Sequence, residues 1–184
     1  MNYASIVPLI GGETIAMQNV FKKKPEYILS YDVFKANDNH LVEYYKGEVP
    51  YHLLGDNRSY NLPSVDVINT VCPCAGLSSL NTSASSDAAA NDWMSTSANY
   101  VLGTLKPKVF WGENAPRLAS KMGEPVVEGL REIGKRNGYT FSLYKTKSLL
   151  HGLGQVRDRS FYFFWKGDKV PQLSYIKRKH QRIE

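Results

Sequence analysis

Apolar and polar positions along this chain group into short apolar runs that alternate with stretches of helical spacing. Ser5-Ile6-Val7-Pro8-Leu9-Ile10 reads as a strand closed by Gly11-Gly12. From Glu13 to Phe21 the apolar residues Ile15, Met17, Val20 and Phe21 recur at helical intervals. Tyr27 to Asp32 reads as a second strand, and Val33 to Tyr45 as a second helix. Tyr51 to Asp56 is a third, short strand, and Val65 to Val71 a fourth. Leu77 to Asn91 is rich in Ser, Ala and Asn and suits a mobile loop. Asp92 to Leu105 reads as a helix and Val109 to Trp111 as a fifth strand. Pro125 to Asn137 is a helix with Val126, Val127, Leu130 and Ile133 on one face. Tyr139 to Tyr144 and Ser160 to Trp165 are the last two strands.

Strands alternating with helices predict an α/β fold: a mostly parallel seven-stranded sheet with helices on both faces. Only Lys145–Arg159 separates the last two strands, so an antiparallel edge strand is expected. The 184 residues, 42% of them apolar, fit one domain. That domain is expected over 1–170, with a basic tail over 171–184. No apolar run reaches the roughly 18 residues a membrane span needs. The N-terminus lacks a charged segment followed by a long apolar one, so a cytoplasmic protein is expected.

The net charge of +6 favours an anionic partner such as nucleic acid. Its basic clusters, Lys22-Lys23-Lys24 and Lys177-Arg178-Lys179-His180-Gln181-Arg182, read equally well as a solvated turn and a frayed tail. The only two cysteines, Cys72 and Cys74, are too close for a useful structural disulfide. No histidine stands at ligand spacing from them, so no metal site is expected.

In sheets of this kind ligands sit beyond the carboxyl ends of the strands. Gly11-Gly12 falls there after the first strand and precedes a helix, so backbone can approach a ligand closely. Asp32 closes the second strand at the place where an acid can bind ribose hydroxyls, and Asp56 closes the third. Cys74 follows the fourth and Glu113 the fifth. Each has a plainer reading as turn chemistry, a helix cap or an inert thiol. Five together point to a site. Cys72 belongs to the strand by its alternation and is expected to pack.

Cys72-Pro73-Cys74-Ala75-Gly76-Leu77-Ser78 resembles the Pro-Cys-Gln nucleophile loop of the cytosine-C5 DNA methyltransferases. Glu113-Asn114-Ala115 resembles that family's Glu-Asn-Val motif, and Gln155-Val156-Arg157-Asp158-Arg159 its Gln-x-Arg-x-Arg motif. The order fits, with 39 residues from Cys74 to Glu113 and 42 from Glu113 to Gln155. The resemblance covers roughly residues 3–166 and implies a Rossmann-like methyltransferase fold using S-adenosylmethionine. It casts Cys74 as the nucleophile at C6 of cytosine and Glu113 as the acid at ring N3. Arg159 would hold the base O2, and Arg157 the loop or backbone phosphate. The implied cofactor residues are Gly11, Gly12, Tyr31, Asp32, Asp56 and Pro73. Asn114, Gln155 and Ser78 would meet substrate. The implied partner is DNA with its target cytosine flipped out, and the loop after Cys74 would be the lid. A bacterial or phage-infected cell, at the nucleoid, is the implied setting.

The chain departs from the family pattern in four places. Leu9 stands where the family's loop has its first glycine, with Val7 in place of the aromatic. Ser30 stands in the place of the ribose-binding acid, ahead of Tyr31 and Asp32. Ala75 follows the nucleophile instead of glutamine. The target recognition domain and last two motifs do not follow within these residues, so a second polypeptide or a C-terminal region is expected to choose the target. Three other readings compete: a catalytically weak relative acting as a nucleic-acid-binding scaffold, a cytosine-C5 RNA methyltransferase, and an unrelated α/β binding protein.

Overall fold

A computed structural model describes residues 1–55, 59–78 and 80–171. Asp56 and all but the first residue of the expected 171–184 tail lie outside the described residues. Seven strands form one sheet: β1 (Tyr3–Ile6), β2 (Ile28–Tyr31), β3 (Tyr51–Leu54), β4 (Val67–Thr70), β5 (Val109–Asn114), β6 (Tyr139–Lys147) and β7 (Asp158–Lys166). The helices are α1 (Gly12–Phe21), α2 (Lys35–Tyr45), α3 (Asp92–Tyr100) and α4 (Glu124–Arg136). A wider π-type turn, Val101–Leu105, extends α3 to the end expected for it. No helix among the described residues is long and apolar enough to cross a membrane.

The strand order is β3-β2-β1-β4-β5-β7-β6. β1 to β5 pair in parallel. β7 lies between β5 and β6 and runs antiparallel to both, so the antiparallel pairing sits at the β6 edge of the sheet. Two strands differ in extent from the hydrophobic pattern. β1 stops at Ile6 because Val7 and Leu9 turn left-handed, with φ 49° and 51°, and cannot continue a ladder. The apolar run continues past buried Val7 and Pro8 into a turn that leaves Ile10 exposed. β5 reaches Asn114 because Gly112, Glu113 and Asn114 still pair with Tyr162, Phe161 and Ser160.

Alternation along the strands feeds two apolar layers. On one face Ile6, Leu29, Ile68, Phe110 and Phe164 pack with Met94 and Ala98 of α3 and Leu130 and Ile133 of α4. On the other, Ile28 meets Leu41 and Tyr45 of α2, while Tyr3 and Val67 meet Met17 of α1. Ser5 on β1 bonds Thr14 of α1 at 2.8 Å and also Asn69 on β4, which fixes the start of α1 against the sheet.

Gly112 is where β5 and β7 come too close for a side chain. A Cβ there would stand 2.3 Å from the buried Tyr162 Oη and 2.8 Å from Thr70 Cγ2. Gly112→Ala is therefore expected to destabilise the fold by about 1–3 kcal/mol, the usual range for overpacking. Urea unfolding measures it; an unchanged midpoint would show that the strands part more easily than this packing allows.

Candidate active site

Register brings the strand ends to one edge of the sheet. Ile6 pairs with Thr70, and Thr70 with Gly112, so β1 and β4 end at one level and β5 runs on past it to Glu113 and Asn114. β7 runs the other way, so its first residues arrive at that same edge, with Ser160 opposite Asn114. This reversal is what delivers Arg159 to the carboxyl ends of the parallel strands.

The segment after β4 holds the two cysteines in different environments. Cys72 is 1% exposed. Its sulfur lies 3.3 Å from Thr70 Oγ1 and 3.7 Å from Ser97 Oγ, and burial pushes its thiol pKa up. Cys72 therefore packs, as its alternation implies. Cys74 is half-buried at the rim of the core, beyond half-buried Pro73. The Leu77 N–H donates to the Cys74 carbonyl at 3.0 Å, turning the chain sharply after the sulfur.

The stretch from Leu77 to Asn91 is irregular, ending in a short 3₁₀ turn at Ala89–Asn91, and it is tied down at several points. Asn81 Nδ2 donates to the Ala75 carbonyl at 2.8 Å, and Ser85 N–H to the Gly76 carbonyl at 2.9 Å. Arg117 Nη1 reaches the Ser78 carbonyl at 3.0 Å, and the Ser78 hydroxyl accepts from the Leu80 N–H at 3.3 Å.

Glu113 is 9% exposed near the end of β5. Its Oε1 pairs with Arg159 Nε. Burial pushes the Glu113 carboxyl pKa up, the positive charges of Arg159 and Arg157 oppose this, and nearby Glu13 adds to the rise. Asn114 is fully buried and works inside the protein. Its amide donates to Met94 Sδ at 3.3 Å and reaches the Cys72 carbonyl at 3.5 Å, so β5 and the cysteine segment are held together.

Glu113, Arg157 and Arg159 line one cleft of about 540 Å³ with Glu13, His151 and Phe161. A cleft of this size takes a nucleobase-sized ligand. Gln155 is exposed and is not among its lining residues; neither are Cys74 and Ser78. The turn carrying Gln155 and Arg157 is anchored by Ser148, whose hydroxyl donates to the Gln155 carbonyl and accepts from the Arg157 N–H at 2.9 Å. Ser148, His151 and Glu13 were not singled out in the sequence. Glu13 could have been, since it directly follows the glycine pair at the start of α1.

At the other end of the edge, Gly11 precedes α1 with φ 82° and Gly12 begins it. Among the described residues, no atom beyond its chain neighbours and its own helix backbone lies within 4 Å of where a Cβ on Gly12 would stand. Tyr31 is half-buried with its ring 4.9 Å from that of Trp93, and Asp32 is exposed in the turn that follows.

The family model for C-5 cytosine-specific DNA methylases matches residues 1–184. No curated protein sequence matches the chain. Solved methyltransferase structures do match it in shape. One is a DNA modification methyltransferase encoded within a prophage (E. coli), at TM-score 0.68 and 17% identity, covering 90% of this chain and 47% of that one. Another is the Entamoeba histolytica methyltransferase EhMeth, at TM-score 0.67 and 15% identity, covering 98% and 57%. A third is the S. pombe Dnmt2 methyltransferase, at TM-score 0.60 and 13% identity, covering 94% and 51%. These likenesses show a Rossmann-like methyltransferase fold. The chain spans about half the length of these three structures.

Proposed function

Because this chain belongs to the C-5 cytosine-specific DNA methylase family, we propose that it carries the catalytic residues for methylating C5 of cytosine in DNA. The observation that carries the reading is the convergence at one sheet edge. An ion pair of buried Glu113 with half-buried Arg159 lines a base-sized cleft, and Asn114 fastens that strand to the segment bearing Cys74.

Cytosine C5 is a poor nucleophile. Addition of the Cys74 thiolate at C6 makes C5 electron-rich, and negative charge develops toward N3. Glu113 in its acid form hydrogen-bonds N3 and neutralises that charge. Its raised pKa suits this, because it keeps the proton at a pH where an ordinary carboxyl has lost it. Arg159, held against Glu113, has further N–H groups to offer the base O2. Arg157, exposed at the cleft mouth, faces the phosphate backbone. Reaching the cleft requires the base to leave the duplex, and the segment after Cys74 closes over it.

The residues at the β1 and β2 ends fit S-adenosylmethionine. The open space at Gly12, at the start of a helix with unpaired N–H groups, suits a carboxylate-bearing tail, and the Tyr31 ring suits an adenine. Gly11, Gly12, Tyr31, Asp32 and Pro73 would hold it. When bound, this cofactor supplies the electrophilic methyl group.

The chain covers half of its structural relatives, so the account assigns target selection to a further region or a second polypeptide. Transfer of labelled methyl groups to DNA and to RNA, with any co-encoded partner present, tests the function. Incorporation into DNA at cytosine C5 is expected. Incorporation into RNA alone would move the substrate to RNA. None under any condition would leave the scaffold reading, which the substitutions at Leu9 and Ser30 favour.

A further inference from the structure

Two donors from one short stretch after the acid take hold of the chain on either side of Cys74. Asn114 lies directly after Glu113, and its amide reaches the Cys72 carbonyl at 3.5 Å. Three residues on, Arg117 Nη1 donates to the Ser78 carbonyl at 3.0 Å, a bond that spans 39 residues of chain. Cys72 precedes Cys74 by two residues and Ser78 follows it by four. The sulfur is bracketed by contacts that both come from the end of β5.

The arm that carries Arg117 has a firm base. It leaves β5 as a short 3₁₀ turn, Pro116–Ala119, in which Leu118 is fully buried, and Ala115 ahead of the turn is buried as well. Ser120 Oγ donates to the Arg117 carbonyl at 2.6 Å. The segment it holds is equally defined. Leu77 is fully buried, its N–H donates to the Cys74 carbonyl at 3.0 Å, and Ser78 follows directly. Beyond Ser78 the surroundings change: Leu80 is 94% exposed.

An arginine drawn away from solvent is ordinarily matched to a carboxylate. Among the described residues none pairs with half-buried Arg117, whose guanidinium donates instead to a main-chain carbonyl. A hydrogen bond from a cation is roughly twice as strong as a neutral one, which suits a contact that must fix a backbone. We infer that Arg117 is a positioning residue for methyl transfer, acting on Cys74 through the Ser78 carbonyl. Arg117 and Glu113 leave the same strand end, so nucleophile and acid are set from one base. The hold ends at Ser78, so the segment beyond it closes over a base without displacing the sulfur. A contact to a DNA phosphate is the competing role for an arginine at this edge.

The inference rests on the reading of Cys74 as the nucleophile, and two measurements keep them apart. Arg117→Met keeps the apolar stem and removes the donors, while Arg117→Lys keeps a cationic donor. The first measurement is hydrogen exchange on the full chain without DNA, read by mass spectrometry on the peptide containing Leu77. Exchange there is expected to be about tenfold faster in Arg117→Met, the scale of one charge-assisted hydrogen bond, and within about twofold of the unaltered chain in Arg117→Lys. The second is the rate of adduct formation with a 5-fluorocytosine duplex, S-adenosylmethionine and any co-encoded partner. It is expected to fall about tenfold in Arg117→Met and to recover in Arg117→Lys, with duplex affinity unchanged, because a displaced nucleophile loses rate and not binding. Unchanged exchange at Leu77, or an unchanged adduct rate, in Arg117→Met overturns the inference. So does faster exchange across the whole sheet, which marks plain loss of stability. Weaker duplex binding with a shallower salt dependence also overturns it and makes Arg117 a phosphate contact. If Arg117→Met does not fold, Arg117→Gln, which falls short of Ser78, is held to the same pattern. An unaltered chain that forms no adduct overturns the nucleophile reading, and the exchange comparison then decides alone whether Arg117 fixes the segment.

Discussion

Cys74→Ala is expected to bring methyl transfer down to the uncatalysed background and to abolish covalent capture of DNA. The sulfur is the one protein atom in this account that makes a bond to the base; the transferred methyl carbon makes the other. Cys72 lies two residues away but is sealed in the core against Thr70 and Ser97, with its thiol pKa raised by burial. A thiol whose ionisation burial disfavours, and which is closed off from solvent, is a poor nucleophile. Cys72→Ala should therefore cost stability and leave capture intact. Methyl transfer and gel shift, measured on both variants, decide the matter. Activity retained in Cys74→Ala and lost in Cys72→Ala would reverse the assignment.

Glu113→Gln is the second large effect. The amide keeps the shape of the side chain and loses the acid proton, so methyl transfer is expected to fall by about 10²–10⁴-fold, the usual worth of a positioned acid. DNA binding should change little, because Glu113 is a small part of a surface that meets DNA mainly through phosphates. Burial raises the Glu113 pKa, so the acid form persists to higher pH than in an ordinary carboxyl and is lost as pH rises through the folded value. In the unaltered chain kcat/KM should decline along that alkaline limb, and Glu113→Gln should lack the decline. Equal loss of binding and transfer would make Glu113 structural.

Both effects depend on parts of the fold that were unequally legible in the sequence. The strand–helix alternation is plain because β1 and β4 are buried on both faces, β5 begins on the apolar run Val109-Phe110-Trp111, and all three read as strands. The end of β1 was not legible. Val7 and Leu9 look like strand residues, and only their left-handed backbone removes them from it. Position along the chain also did not reveal what Asn114 does. A motif places it beside the acid; burial turns its amide inward, onto Met94 and the Cys72 carbonyl. The arginines were legible as a motif, but their arrival at Glu113 depends on the reversal of β7, which pairing register decides and composition does not.

The central claim is that Cys74 bonds covalently to the cytosine ring. Replacing C5–H by C5–F arrests the reaction after methyl transfer, because the fluorine cannot leave as a proton would. The direct test incubates the chain, with any co-encoded partner, with S-adenosylmethionine and a duplex containing 5-fluorocytosine, then maps the cross-linked peptide by mass spectrometry. The account predicts one adduct, on the peptide containing Cys74, with its mass increased by the methylated nucleotide. Methylation of ordinary cytosine without any trapped adduct, or an adduct on another residue, would contradict it.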